Sequence, residues 1–274
     1  MTVIVSLLAI SAAWIAWILA APMLRRRRRR RLGQQPVPPG WEAVLQRRLP
    51  IYRRLPLPLR QRLFGLVQVF LAEKPIIGCA GLQVTDEMRL SIAAQACVLL
   101  LNRDISDYDG LAAILVYPGG FVSRHGYRNE AGLHVEEVRS LSGESWNSGK
   151  VVLSWQDVTG GARDACDGNN VVYHEFAHQL DQAGGAANGA PPLAGEDARR
   201  RWAEVWSRAY EEMHQHLQHD HRAVLRADAG DSPAEFFAVA TEFFFEAPQR
   251  LREAFPAVYQ QLRLFYRIDP MAWF

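Results

Sequence analysis

Residues 169–182 read NNVVYHEFAHQLDQ, and this stretch decides how the C-terminal half of the chain is interpreted. It places His174 and His178 four residues apart, with Glu175 directly after the first. On an α-helix this spacing puts both imidazoles on one face, so they can bind one metal ion. A neighbouring carboxylate can take the proton of a zinc-activated water that attacks a carbonyl group. The pattern predicts a hydrolytic zinc centre with two histidine ligands and Glu175 as general base. The alternative is an amphipathic helix whose histidines are solvated or packed in the core.

A third zinc ligand is expected on a later helix, because catalytic zinc has three protein ligands and one open position. Residues 231–248, DSPAEFFAVATEFFFEAP, offer Glu235, Glu242 and Glu246. Glu235 is favoured, because it begins a very apolar segment in which a carboxylate needs a strong partner. Two alternatives stay open on the residues alone. Ser232 and Glu235 have the spacing of a helix capping box, and Glu242 lies on the same helix face seven residues later.

Two further polar features have a structural and a functional interpretation. Asp181 follows His178 by three residues and is predicted to accept the second N–H of a ligand imidazole, unless it is a solvated acid at the helix end. The cluster HQHLQHDH at residues 214–221 has spacings that do not share one face. It is therefore predicted to be a solvated helix end and not a metal site.

The N-terminal 24 residues are predicted to be a transmembrane anchor. Residues 3–24 carry no charged side chain and are long enough to span a hydrocarbon core, and Arg25–Arg31 follow directly. A signal peptide would carry its charge before the apolar stretch. The positive-inside rule instead predicts a single-pass protein of the bacterial inner membrane with its folded part in the cytoplasm. Residues 25–40 are predicted to be an arginine-rich and Pro/Gly linker, and residues 41–274 the catalytic domain.

Charge and cysteine content argue against a nucleic-acid-binding protein and against a disulfide framework. The chain has 31 Lys and Arg against 29 Asp and Glu; without the seven arginines at 25–31, 24 basic residues face 29 acidic ones, and the net charge changes from +2 to −5. A nucleic-acid-binding domain is expected to carry a basic face. Cys79, Cys97 and Cys166 form no CxxC pair, which fits free thiols in a reducing compartment.

The order of the predicted elements indicates an α+β domain with a small mixed sheet. Helical periodicity predicts a helix over 57–73, and Thr85 followed by two acids predicts the start of a buried helix. Between residues 108 and 157, the stretches AAILVYP, LHVEEVRSL and VVLSW predict strands of one small sheet. Later helices are predicted over 170–182, 196–218, 232–246 and 249–266, the last one interrupted at Pro256. Helices, a block of strands and then helices are typical of α+β domains.

Several stretches resemble the Mlc titration factor A family of zinc-dependent peptidases. They include long segments outside HExxH: residues 74–103, YPGGFV (117–122), GESWNSGKVVLSWQDV (143–158), DGNNVVYHEFAHQLD (167–181) and SPAEFFAVATEFFF (232–245). AEFFA also resembles the third-ligand helix in the catalytic domain of anthrax lethal factor. The resemblance implies a zincin-like, gluzincin-type fold. It also implies zinc ligation by His174, His178 and Glu235, with Glu175 as the catalytic base.

The resemblance also implies a function. Family members are associated with aminopeptidase-type activity and with binding the glucose repressor Mlc. We therefore expect a membrane-anchored zinc metallopeptidase acting on peptides or proteins, with VVLSW offering a strand edge to an extended substrate. The alternative is a regulatory protein that sequesters a transcriptional repressor and has weak or no peptidase activity.

The chain departs from the family pattern in two places. One is the predicted membrane anchor. The other is Asp228, which stands seven residues before the third ligand, where relatives commonly have a tyrosine. An aspartate there would repel a developing oxyanion, so either a residue such as Tyr173 takes over that role or turnover is weak.

Overall fold

The computed structural model describes residues 2–128, 134–141, 143–146, 149–161, 163, 166–219 and 224–273. The helices in this part of the chain are α1 (Thr2–Gly33), α2 (Trp41–Arg48), α3 (Leu57–Glu73), α4 (Asp86–Val98), α5 (Trp155–Gly161), α6 (Val171–Gln182), α7 (Glu196–His219), α8 (Pro233–Glu246), α9 (Pro248–Ala254) and α10 (Pro256–Tyr266). Short 3-10 turns cover Pro50–Arg53, Ile105–Tyr108, Ala227–Gly230 and Pro270–Trp273.

The strands form two sheets and not the single sheet predicted from the sequence. They are β1 (Ile76–Gly78), β2 (Ala113–Tyr117), β3 (Phe121–Arg128), β4 (His134–Leu141), β5 (Gly143–Trp146) and β6 (Lys150–Ser154). One sheet has the order β1-β2-β6-β5, with β1, β2 and β6 parallel and β5 antiparallel to β6. Strands β3 and β4 form a separate antiparallel pair. The mixed α+β character is as predicted. The described part of LHVEEVRSL, His134–Leu141, belongs to the second sheet, because a strand pattern does not specify which strand it pairs with.

Strand β6 lies inside the larger sheet, so the prediction that VVLSW offers an edge is wrong. On one side Val151 pairs with Ile114, and on the other Leu153 pairs with Gly143. Four successive β6 residues, from Val151 to Ser154, are buried, as expected for a strand covered on both faces. Strand β5 is the edge strand on this side of the sheet, and β6 is its only strand partner among the described residues.

Helices α4, α6 and α8 form the buried centre of the molecule. The Thr85 hydroxyl accepts a hydrogen bond from the Met88 N–H at 3.3 Å, which confirms the predicted start of α4. Helix α6 packs against both α4 and α8. The ring of Phe176 on α6 lies 5.8 Å from that of Phe70 and 5.1 Å from that of Tyr108, measured between centroids. These contacts bury the apolar side of the helix that carries the two histidines.

The other predicted helices are also found, within a few residues of the expected bounds. The C-terminal helix is divided into α9 and α10 at Phe255, immediately before Pro256. Proline lacks an N–H group and suits the first position of a helix, so the chain ends one helix and starts the next there. The predicted interruption is confirmed.

The N-terminal helix α1 continues through the arginine run as far as Gly33. The side chain of Arg29 is 11% exposed, and its guanidinium pairs with the Glu73 carboxylate on α3 at 2.7 Å. The two helices touch at a pair of glycines: a Cβ atom added to Gly65 would lie 2.8 Å from the Gly33 carbonyl oxygen. Residues 25–33, predicted as part of a linker, are therefore helical and pack on α3.

The predicted transmembrane span is not supported. Among the residues described, none of the helices combines the length and the apolar character that crossing a membrane requires. Helix α1 joins the apolar residues 3–24 to the basic run in one element, and that run pairs with carboxylates of the folded part. The division of the chain at residues 24 and 40 and its cellular location stay predictions.

Candidate metal centre

Asn170 fixes the start of helix α6. Its side-chain oxygen accepts hydrogen bonds from the N–H groups of Val172 and Tyr173 at 3.1 and 3.0 Å, as an N-cap residue does. The side-chain N–H₂ group of Asn170 donates to Gln95 on α4 and to Glu246 on α8. The beginning of α6 is thereby tied to both neighbouring helices, and His174 follows in the first turns.

Ser232 and Pro233 fix the start of helix α8. The Ser232 hydroxyl accepts a hydrogen bond from the Glu235 N–H at 3.2 Å, and Pro233 takes the first helical position. Glu235 therefore takes part in helix capping through its backbone N–H, and its carboxylate is available to contact other side chains. Because α8 packs against α6, this carboxylate faces the two histidines.

The structure brings His174, His178 and Glu235 together. The Nε2 atoms of the two imidazoles lie 3.2 Å apart, and the Glu235 carboxylate lies 2.9 Å from Nε2 of His174 and 3.3 Å from Nε2 of His178. Ligand atoms around a tetrahedral zinc ion, each about 2.0–2.1 Å from the metal, are about 3.3 Å from one another. The three side chains thus have the spacing that a small divalent cation requires.

The charges of the three groups fit a cation as well. Burial lowers the pKa of His174, but hydrogen bonds with Glu235 and Glu242 outweigh it, and the pKa lies well above its ordinary value. Burial raises the pKa of Glu235, but hydrogen bonds from both histidines outweigh it and lower the pKa. Positive charge is therefore stabilised where the three groups meet. A divalent cation supplies that charge directly, and protons leave as it binds.

Glu242, left open above as an alternative third ligand, binds the other side of His174. Its carboxylate lies 2.8 Å from Nδ1 of His174, while Nε2 faces Glu235. The same carboxylate accepts two hydrogen bonds from the Arg226 guanidinium, at 2.6 and 3.1 Å, and one from the Asn170 backbone N–H. A carboxylate on the outer nitrogen of a ligand histidine fixes its tautomer and ring orientation. Glu242 therefore orients His174.

Glu175 lies beside the side chains of His174, His178 and Glu235. It is 4% exposed, and its charge is close enough to His174 to contribute to the raised pKa of that imidazole. As the next residue along α6, it points to the neighbouring sector of the helix. The carboxylate is thus placed near the candidate cation site, while Glu235 faces the Nε2 atoms of both histidines.

Contrary to the prediction, no imidazole of the described residues forms a hydrogen bond with Asp181. Its carboxylate is 1% exposed and accepts a hydrogen bond from the Gly189 N–H at 2.7 Å. Burial raises the pKa of Asp181. Trp202 donates its indole N–H to the Gly189 carbonyl oxygen at 2.8 Å. Asp181 thus fixes the loop that follows α6. The contact with an imidazole nitrogen that was predicted for Asp181 is made by Glu242.

Tyr173, considered above for the oxyanion contact, is buried beside an aromatic side chain. Its side chain is 2% exposed and packs against Phe245, with ring centroids 5.6 Å apart. Asp228 lies in the 3-10 turn before α8, and its carboxylate is 3.1 Å from the Arg226 guanidinium. The repulsion expected from Asp228 is therefore partly compensated by that positive charge.

A comparison with known proteins agrees with this geometry. The family described as "Glucose-regulated metallo-peptidase M90" matches residues 23–267. The chain belongs to this family. It is 39% identical over 258 residues to an uncharacterized protein of Synechocystis sp., which covers 94% of each chain. It is also 34% identical over 241 residues to "Mlc titration factor A" of Yersinia pestis and of Yersinia pseudotuberculosis, which covers 85% of each chain.

Membership in the M90 family supports metallopeptidase as the class of this protein, with the His174, His178 and Glu235 group able to bind its metal ion. The similarity to the Mlc titration factor A family inferred from the sequence motifs is confirmed.

Sequence reasoning missed Arg226 in this M90 protein. A buried carboxylate such as Glu242 in an apolar helix requires a cationic partner, which is a signal that the sequence does contain. It does not single out which basic residue supplies that partner, because Arg226 lies in a polar stretch with no pattern of its own. The arginine also donates to the Gly168 carbonyl oxygen, so it joins the segment before α6 to α8.

Proposed function

We propose that this chain is a zinc metallopeptidase that hydrolyses peptide bonds. The observation that carries the proposal is the convergence of two imidazole Nε2 atoms and the Glu235 carboxylate, with Glu175 buried beside them. Two histidines and one glutamate form a donor set of catalytic zinc sites, which keep one position open. When bound, zinc polarises the scissile carbonyl group and makes water a nucleophile at neutral pH.

Each residue of the site has a role in this proposal. Glu175 accepts the proton of the attacking water and passes it to the leaving amine. His174 is held in one orientation by Glu242, and His178 and Glu235 complete the ligand set. The edge strand β5, whose only strand partner in the described part of the chain is β6, offers its other side to an extended substrate, because backbone groups of a peptide can pair with the edge of a sheet.

The experiment uses the full-length protein and its Glu175→Gln variant, with Glu204→Gln as the matched control. Glu204 lies on the exposed face of α7, so its substitution removes the same charge away from the site. Zinc content and cleavage of a peptide panel are measured on the same samples. We expect one zinc per chain in all three proteins, and a loss of turnover of at least about 100-fold only in Glu175→Gln.

The panel also separates exopeptidase from endopeptidase activity. Each peptide is supplied with a free and with an acetylated N-terminus, and aminopeptidase activity requires the free form. The peptidase proposal fails if the wild type holds no zinc or if Glu175→Gln cleaves as fast as Glu204→Gln.

A second candidate function is regulatory binding of a transcriptional repressor. It is favoured by the name of the relatives, Mlc titration factor A. In this case the full-length chain would bind the purified Mlc repressor, and Glu175→Gln would bind it as tightly as the wild type. The regulatory candidate fails if no complex forms at micromolar concentrations of both proteins. The two functions are separable, because only peptide cleavage requires Glu175.

A further inference from the structure

A groove of about 710 Å³ lies between α1, α3 and the turn near Asp104, and we call it the arginine groove. The α1 residues that line it run from Ile18 to Gly33 at alternating intervals of three and one positions, so they share one face of that helix. This face is about 22 Å long at 1.5 Å per residue. The two glycines at the contact between α1 and α3, Gly33 and Gly65, are part of the lining. The volume is within the range of small-molecule sites, about 300–1,000 Å³.

The arginine groove is strongly positive. Five arginines and two aspartates line it, so guanidinium groups exceed carboxylates by three. Part of this charge is already neutralised. Arg29 pairs with Glu73 and with Asp109, and Arg25 pairs with Asp109 at 3.2 Å.

Two of the lining arginines have their charge available for a ligand. Arg26 and Arg30 are exposed, and no ion pair is found for either in the described part of the chain. Arg62 approaches from α3, where one of its N–H groups donates to the Arg103 carbonyl oxygen at 3.0 Å. Guanidinium groups bind phosphate oxygens in a forked geometry, so three of them around one groove suit a phosphate group.

The N-terminal end of the α1 face is apolar. Ile18, which is 54% exposed, and Pro22 line the groove there, before the first of the arginines. The lining therefore changes from apolar to basic along a single helix face. A ligand that matches it has an anionic group and an apolar chain on the same molecule.

We propose that the arginine groove binds one anionic phospholipid, with its phosphate at Arg26, Arg30 and Arg62 and its acyl chain along Ile18 and Pro22. Basic clusters beside apolar helix surfaces bind anionic lipid headgroups through charge attraction. None of the lining residues belongs to α6 or α8, which carry the metal site. The proposal is therefore independent of the proposed function.

The test uses the full-length protein in a neutral detergent and three probes: dihexanoyl phosphatidylglycerol, dihexanoyl phosphatidylcholine and inorganic phosphate. Binding is measured by titration calorimetry. We expect phosphatidylglycerol to bind at least about tenfold more tightly than either other probe. Each arginine contact with an anionic lipid contributes about fivefold in affinity, so Arg26→Gln with Arg30→Gln should weaken binding about 25-fold.

Arg27→Gln with Arg28→Gln is the matched control, because it removes two positive charges from the same helix at positions that do not line the groove. We expect this pair to weaken binding by less than about threefold. Equal weakening by both pairs would overturn the proposal, since general charge attraction would then explain the binding. Two other results would overturn it as well: phosphatidylglycerol binding no better than phosphatidylcholine, or inorganic phosphate binding as tightly as phosphatidylglycerol. Glu175→Gln should bind the lipid like the wild type, which separates this test from that of the peptidase.

Discussion

Replacing Glu242 by glutamine tests how the metal centre is supported. The Glu242 side chain is fully buried on α8, and its two oxygens face four donors. One oxygen contacts Nδ1 of His174 and the Arg226 guanidinium, and the other contacts Arg226 again and the Asn170 backbone N–H. Glutamine has the same shape, but its N–H₂ group faces a donor whichever way the amide rotates. The substitution therefore breaks contacts without creating a cavity.

The expected cost follows from these contacts. Removing one partner of a buried ion pair costs about 3–5 kcal/mol, because the other charge is left uncompensated. Arg226 keeps its contacts with Asp228 and with the Gly168 carbonyl oxygen. We therefore expect a loss near the lower limit, about 3 kcal/mol in the free energy of unfolding. Loss of the group that orients a ligand histidine also lowers metal affinity about 10- to 100-fold.

Glu246→Gln is the matched control for this experiment. Glu246 lies one turn further along α8 and accepts a hydrogen bond from the Asn170 side chain at 2.9 Å. Burial raises the pKa of Glu246 well above its ordinary value, which favours the uncharged carboxyl group. No ion pair is found for Glu246 in the described part of the chain, so the same substitution there leaves no opposite charge uncompensated and should cost about 1 kcal/mol or less.

The assay measures zinc affinity by competition with a chromogenic chelator, and stability by urea unfolding of the metal-free full-length protein. We expect both quantities to fall in Glu242→Gln and to stay near the wild-type values in Glu246→Gln. The reasoning is refuted if Glu242→Gln binds zinc within about threefold of the wild type, because an orienting carboxylate should contribute at least tenfold.

Two further substitutions probe other contacts. Gly189→Ala should destabilise the protein by at least about 2 kcal/mol in urea unfolding. Gly189 has φ +76°, and an added Cβ would lie 2.3 Å from the Pro233 carbonyl oxygen. Unchanged stability of the variant would contradict this prediction. The hydrogen bond from Arg29 is the main cause that lowers the pKa of Glu73 below its ordinary value of 4.5. The ionised carboxylate therefore stabilises the fold above pH 4.5, and this stabilisation is lost as the pH falls through the lower pKa of the folded protein. Glu73→Gln should therefore be less stable than the wild type at pH 7, with a difference that shrinks below pH 4.5 in a pH series of unfolding curves; a constant difference would argue against the ion pair.

Local sequence relations predicted much of the structure. The spacing of His174 and His178 is enough to place both on one helix face, since neighbours four residues apart meet on any α-helix. Thr85 and Ser232 marked helix starts, because a hydroxyl that accepts an N–H two or three residues later acts within the segment itself. The break at Pro256 follows from the missing N–H of proline. Each of these predictions depends on residues within one or two turns of each other.

The pairing of strands into sheets was harder to predict from the sequence. His134–Leu141, within the predicted strand LHVEEVRSL, do form a strand, but its pairing with β3 outside the larger sheet depends on backbone hydrogen bonds to another segment. The burial of VVLSW between β2 and β5 also depends on neighbours that the strand pattern does not name.

The sequence by itself determined a helix with two histidines placed to bind one metal ion, an adjacent acid and an apolar helix with three glutamates. Only the tertiary structure decided that Glu235 faces the Nε2 atoms while Glu242 binds Nδ1 of His174, 68 positions away along the chain. It also assigned Arg226 to Glu242 and Asp181 to the loop at Gly189. The physical reason is that periodicity places residues on a face, whereas the atom a carboxylate meets depends on how two helices pack.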